Sequence, residues 1–188
     1  MNRLLFPALL VTILGIAAWG VAAQDQHGHD QPGEATGALK TPAAIVEEHR
    51  HLHEQLEAAI AAGGQTGEKA RVVGEVLGRH FEQEEAYAMP PLGLLEPLAH
   101  GRQVSEEDSA KAIEMATRLR EEYESMLEEH RELTTALDAL SEAAERENQP
   151  EAKAFAEGLK LHAQNEEQVL YPATLLIGEY LKLRREQH

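Results

Sequence analysis

The chain has 188 residues, enough for one domain with a sizeable core. Lys and Arg total 17 against 33 Asp and Glu, a formal net charge of −16, which argues against nucleic acid and anionic lipid as partners. Cysteine is absent, so disulfides, thiolate metal sites, iron–sulfur clusters and a lipoprotein anchor are excluded.

Residues 1–23 carry the parts of a secretory signal peptide in order. Met1 to Arg3 is a short basic start, Leu4 to Gly20 is almost wholly apolar, and Val21, Ala22 and Ala23 are the small residues before a cleavage point. Cleavage after Ala23 is expected, which places the mature protein in the periplasm or outside the cell and off the membrane. An uncleaved anchor is the alternative, since Leu4 to Ala23 is nearly long enough to span a bilayer. Residues 24–40 are rich in Gly, Gln, Asp and His without apolar periodicity and read as a disordered tether, with His27 and His29 as polar filler.

Residues 41–188 read as one helical domain. Thr41 is placed to cap a first helix with Pro42 at its first position, and Gly63-Gly64 ends that helix after about Ala62. A second helix is predicted from near Thr66 to just before Met89-Pro90-Pro91, because proline cannot continue it. Pro90 to Gln103 reads as a loop whose Leu92, Leu94, Leu95 and Leu98 pack on the domain. Ser105, followed by Glu106, Glu107 and Asp108, opens a third helix reaching about Asn148, roughly 63 Å long at 1.5 Å per residue. That is longer than its partners need, so its first part is expected to overhang or bend onto the 90–103 loop. A fourth helix starts near Pro150 and runs towards Arg185, with a kink or break expected at Pro172.

The helices come as two copies of one pair. Glu47-Glu48-His49-Arg50-x-Leu52 recurs 81 positions later as Glu128-Glu129-His130-Arg131-x-Leu133. His80-x-x-x-Glu84-Glu85, with Pro90 beyond, recurs 82 positions later as His162-x-x-x-Glu166-Glu167, with Pro172 beyond. A duplicated helix pair of this kind predicts an all-α, up-down four-helix bundle.

Apolar residues alternate at steps of three and four, the spacing of a bundle seam. The first seam is Ile45, His49, Leu52, Leu56 and Ala59; the second is Val73, Leu77, His80, Glu84 and Tyr87. The third is Leu119, Tyr123, Met126, His130, Leu133, Leu137 and Leu140; the fourth is Phe155, Leu159, His162, Glu166, Val169 and Ala173. Four histidines and two glutamates thus stand where aliphatic side chains belong. An unpaired buried carboxylate costs several kcal/mol. Hydrogen-bonded pairs, His80 with Glu84 and His162 with Glu166, would relieve part of that cost. A divalent metal pair relieves all of it, neutralising both carboxylates and using all four imidazoles. Residues i and i+4 share a helical face, so each His–Glu pair reaches one cluster. Six side-chain donors suit two ions, each taking two histidines, with the glutamates chelating or bridging. Imidazole with carboxylate suits iron, manganese or zinc.

Taken in order, His49, His80-x-x-x-Glu84, His130, and His162-x-x-x-Glu166-Glu167-x-x-Leu170-Tyr171-Pro172 resemble the hemerythrin-like family, the HHE cation-binding domain, over about Ala43 to Leu181. The resemblance implies a non-haem di-iron centre of two iron ions and a role in oxygen binding or sensing, iron handling, or peroxide and nitric oxide chemistry. Oxygen-carrying members have a fifth histidine four residues after the third-helix ligand. Thr134 stands there in this chain, which leaves His53, one turn after His49, as a candidate fifth ligand. Glu85 and Glu167 are placed to orient ligand imidazoles or to be solvated, and Tyr87 and Tyr171 to line the pocket. His51, His100 and His188 carry no signal.

These features predict an exported metal protein that binds or senses oxygen or a related diatomic or peroxide ligand. Iron storage or buffering, and peroxide-handling oxidoreductase chemistry, are the alternatives at the same centre. No nucleotide motif or nucleophile triad points to a dedicated organic-substrate enzyme.

Overall fold

A computed structural model describes residues 39–187. The signal peptide, most of the tether and His188 lie outside the described residues. The described chain forms α1 (Ala43–Ala61), α2 (Gly64–Gln83), α3 (Leu95–Ala99), α4 (Glu106–Arg146), α5 (Pro150–Asn165) and α6 (Tyr171–Glu186). A π-helical turn, Glu84–Ala88, extends α2, and another, Glu166–Leu170, joins α5 to α6. The bundle's four long rods are therefore α1, extended α2, α4, and α5 continued through α6.

Two apolar clusters establish the up-down topology. One contains Leu52, Leu56 and Ala59 with Ala70, Val73, Leu77, Leu133, Leu137, Phe155 and Leu159. The other contains Ile45 with Tyr87, Met89, Ala112, Leu119, Met126, Tyr171, Ile177 and Leu181. The first rod passes from the second cluster to the first, the next returns, and the third and fourth repeat the alternation. Each rod packs on its two neighbours in a ring. The four seam histidines and two seam glutamates fall between the clusters, at mid-height.

Several boundaries follow local chemistry. Ser105 accepts a hydrogen bond from the Asp108 amide at 3.0 Å, and three acids fill the first turn of α4. α1 begins one residue later than the Thr41-Pro42 signal predicts, with Pro42 in the cap position and no side-chain cap. α2 begins two residues early, at Gly64, because Glu147 supplies the cap from the α4–α5 connection. Its carboxylate accepts the Gln65 and Thr66 amides, each at 2.9 Å, and the Thr66 hydroxyl at 2.7 Å.

The segment after Pro90 is more regular than a loop. It forms a 3₁₀ turn, Pro90–Leu94, and then α3, and it buries Leu92 and Leu94 while Leu95 stays exposed. The start of α4 does not overhang. It packs along α6, which extends equally far, and shares a cluster with the Pro90–Leu94 turn.

The fourth seam departs from prediction after Glu166. Val169 is 54 % exposed, and the buried positions become Tyr171, Thr174, Ile177 and Leu181. A π turn takes one extra residue to come round, so the core face resumes five residues after Glu166 instead of three or four. Pro172 falls in the first turn of α6, where the hydrogen-bond ladder is already interrupted, and that meets the predicted break.

Candidate metal centre

His49, His80, Glu84, His130, His162 and Glu166 converge, and none is more than 5 % exposed. Their donor atoms fall into two overlapping groups. His49, Glu84, His162 and Glu166 form one, and His80, His130 and Glu166 form the other, each with its atoms within 4.8 Å of one another.

Glu166 belongs to both. Its Oε1 is 2.6 Å from His162 Nε2 and 3.8 Å from His49 Nε2, while its Oε2 is 3.4 Å from His130 Nε2 and 3.8 Å from His80 Nε2. Glu84 also faces two ways, with Oε2 3.7 Å from His49 Nε2 and Oε1 3.6 Å from His80 Nε2. Each carboxylate thus turns one oxygen towards each pair of imidazoles.

The imidazoles are held from behind by acids on neighbouring helices. His80 Nδ1 lies 3.2 Å from Glu129, His130 Nδ1 lies 2.9 Å from Glu167, and His162 Nδ1 lies 3.2 Å from Glu48. A carboxylate only accepts, so it draws the ring proton to Nδ1 and leaves the Nε2 lone pair facing inward. His49 is supported differently. Its ring stacks on Phe81 at 4.1 Å and 6°.

Without a cation this arrangement is poorly satisfied. The Nε2 atoms of His80 and His130 stand 2.8 Å apart, so two inward lone pairs would meet. Both ring nitrogens of His49, Nε2 of His162, both oxygens of Glu166 and Oε2 of Glu84 are buried and make no hydrogen bond of ordinary geometry. Buried polar atoms are rarely left this way. The donor set fits a pair of divalent ions: imidazole nitrogens and carboxylate oxygens in two groups that share a carboxylate.

The strain also appears in protonation. Burial, and then the Glu166 charge beside it, pushes Glu84 well above the usual carboxylate range. Burial pushes Glu166 up as well, but the four imidazoles that face its two oxygens outweigh it and hold Glu166 well below that range. Burial lowers His162, yet Glu166 and Glu48 together bring it above the usual imidazole value.

The profile of the hemerythrin HHE cation binding domain matches residues 41–174. The chain belongs to this family. No curated protein and no solved structure matches it significantly. Membership implies metal binding, typically of iron, and the buried His/Glu groups supply donors for it.

Around the hemerythrin-like centre, other predicted residues divide. His53 is exposed and outside both groups, its ring edge-on to Phe81 at 5.1 Å. Glu167 orients His130, whereas its repeat partner Glu85 is exposed. Tyr171 enters the centre, its hydroxyl donating to Glu84 Oε1 at 2.8 Å. Tyr87 does not, since its hydroxyl donates to Glu122 at 2.9 Å. His51 is exposed, and exposed His100 bonds the Glu96 carbonyl. Glu48, Glu129 and Phe81 gain roles that the sequence reading did not assign them. The available signal was the Glu directly before the ligand histidine in both copies of the repeat.

Proposed function

We propose that this hemerythrin-like protein is exported and holds two iron ions through His49, His80, Glu84, His130, His162 and Glu166, binding or sensing oxygen or a related small ligand between them. The observation that carries the reading is the double set of buried donors sharing Glu166, several of them without a hydrogen bond of ordinary geometry. Export rests on the leader pattern of residues 1–23. When bound, such an iron pair supplies a coordination place for a small ligand and electrons to share with it. The chain's own part is to orient the imidazoles through Glu48, Glu129 and Glu167, to fix the two carboxylates, and to exclude water with apolar clusters on either side. Burial of all six donors favours a resident ion pair over an exchangeable store.

The test is metal content with the optical spectrum, on exported protein, with and without oxygen. About two irons per chain and a near-ultraviolet charge-transfer band that changes reversibly with oxygen support the reading. Two irons with an oxygen-insensitive spectrum would move it to storage or peroxide chemistry. No bound metal after anaerobic reconstitution would make the histidines structural.

A further inference from the structure

The last rod is apolar on two opposite faces beyond Glu166. Its inner face is the core line of Tyr171, Thr174, Ile177 and Leu181. Its outer face carries Val169, Leu176, Tyr180 and Leu183, between 43 % and 69 % exposed, with half-buried Ala173 among them. From Val169 to Leu183 these five follow at steps of four, three, four and three, the a/d spacing of a coiled-coil seam. Leu161, 67 % exposed on α5, joins the same line. Its step to Val169 is eight residues, and the π turn between them takes up the extra one, so that step matches the sevens from Val169 to Leu176 and on to Leu183. The line keeps within an arc of about 80° and runs for about 30 Å. Of the eight large apolar side chains exposed among the described residues, five lie on it. Such concentration is not the scatter of a solvated surface, and a helix apolar on both faces is one that is covered on both.

We propose that this face binds a second copy of the chain, the two α5–α6 rods lying parallel about a twofold axis. The borders of the seam select that occupant. Glu179 directly precedes Tyr180 on one edge, and Arg184 directly follows Leu183 on the other. In a parallel pair these are the positions that meet across the seam, so Glu179 of each copy faces Arg184 of the other, twice by symmetry. An antiparallel pair would instead set Glu179 and Glu186 against the same acids of the other copy. Arg120 and Lys182 already pair with Glu179 at 3.0 Å and 3.1 Å, and a carboxylate has lone-pair sites for a further donor. Arg184 lies over the Tyr180 ring, 5.8 Å from its centroid, at the border of the seam. The acidic edge and the formal charge of −16 disfavour an anionic lipid surface as the occupant. The π turn thus serves two faces, turning Glu166 to the centre and Val169 to the other copy. The inference does not depend on a metal being bound.

Sedimentation equilibrium of the purified protein over a range of concentrations should give a dimer. Leu176→Glu, which sets a carboxylate against its own copy in the middle of the seam, should weaken dimerisation by about 100-fold or more. Glu179→Arg and Arg184→Glu should each weaken it, and the two together in one chain should restore it, as a parallel pairing requires. The absence of cysteine allows a second readout that does not depend on a disruptive variant. In a parallel pair Leu183 meets its own copy, so Leu183→Cys should cross-link into a dimer on mild oxidation much faster than Val72→Cys, an exposed position on α2. A monomer at every concentration overturns the proposal, as does a dimer that Leu176→Glu leaves unchanged. Equal cross-linking of Leu183→Cys and Val72→Cys, or no recovery in the charge exchange, overturns the parallel arrangement.

Discussion

Glu166 reaches all four histidines, where Glu84 reaches His49 and His80. Substituting Glu166→Ala should therefore empty both positions, while His49→Ala should leave roughly one iron per chain; elemental analysis after reconstitution distinguishes the two. Glu129→Gln, which weakens the acceptor behind His80, should cost about 10- to 100-fold in iron affinity without removing a ligand, read by competition with a chelator. Protonation gives a third expectation. Glu84, held above its unfolded range, contributes stability that is full below about pH 4.5 and fades as pH rises towards its raised value. His162 contributes in the same sense below about pH 6.5, and that contribution is lost as pH rises through its raised value. Glu166 works in the opposite sense, but its loss lies below about pH 4.5 because its value is depressed. Metal-free protein should thus become less stable between about pH 5 and 8. Iron-loaded protein should become more stable over the same range, because protons compete with the metal. Urea unfolding at several pH values measures both slopes, and parallel slopes would count against a metal at these residues. The six converging residues were legible in the sequence because charge at a seam position is a physical anomaly that needs an explanation. Tyr87 and Tyr171 were both expected to line the pocket, but that only Tyr171 turns its hydroxyl inward was not legible, since a tyrosine at core spacing looks the same whether its oxygen faces the site or a neighbouring helix.

At the scale of elements, helix existence and order were readable because Gly63-Gly64, Pro90-Pro91, Ser105 and Pro150 punctuate four strongly periodic runs. Register after the site was not readable. The two π turns begin at Glu84 and Glu166, and a one-residue insertion into a helical turn leaves no mark in a hydrophobic pattern that is already interrupted by acids. Val169 consequently turns outward and Tyr171 inward. Thr174 shows how the shifted face is locked, donating its buried hydroxyl to the Ala88 carbonyl at 2.6 Å, across to the other π turn. Beyond it, α6 lies against α4 so closely that a Cβ on Gly178 would meet the Ala116 Cβ at 2.4 Å. Gly178→Ala should cost about 1–3 kcal/mol by overpacking, and Ala116→Gly in the same chain should recover part of it. A thermal-unfolding double-mutant cycle measures the coupling. Additive losses would mean that the two helices do not meet as closely as the structure has them.

For the whole molecule, the consequence of this layout is that the His/Glu layer lies between two apolar halves instead of decorating one core. Leu77, Leu137 and Leu159 belong to one cluster and Met126, Tyr171 and Leu119 to the other, with the acids and imidazoles between them. All four rods cross that layer, so neither half can separate without breaking helices. Ions that neutralise Glu84 and Glu166 remove the largest unfavourable term in the middle of the bundle, and ions bound only to the folded state also stabilise it by mass action. Chelation should lower the melting temperature and leave far-ultraviolet helicity largely intact, because each cluster still holds its ends of the rods. Native-state hydrogen exchange should then speed up first at mid-height, in the helical turns around His49, His80, His130 and His162. Amides near Leu140 and Phe155, deep in the cluster of Leu77, Leu137 and Leu159, should stay protected to nearly the global limit. Uniform acceleration along every rod would instead mean that the two halves are one cooperative core and that the charged layer costs the metal-free protein little. Protection lost first at mid-height would show the ions acting as the fastening between halves, a dependence expected of a protein whose metals are resident.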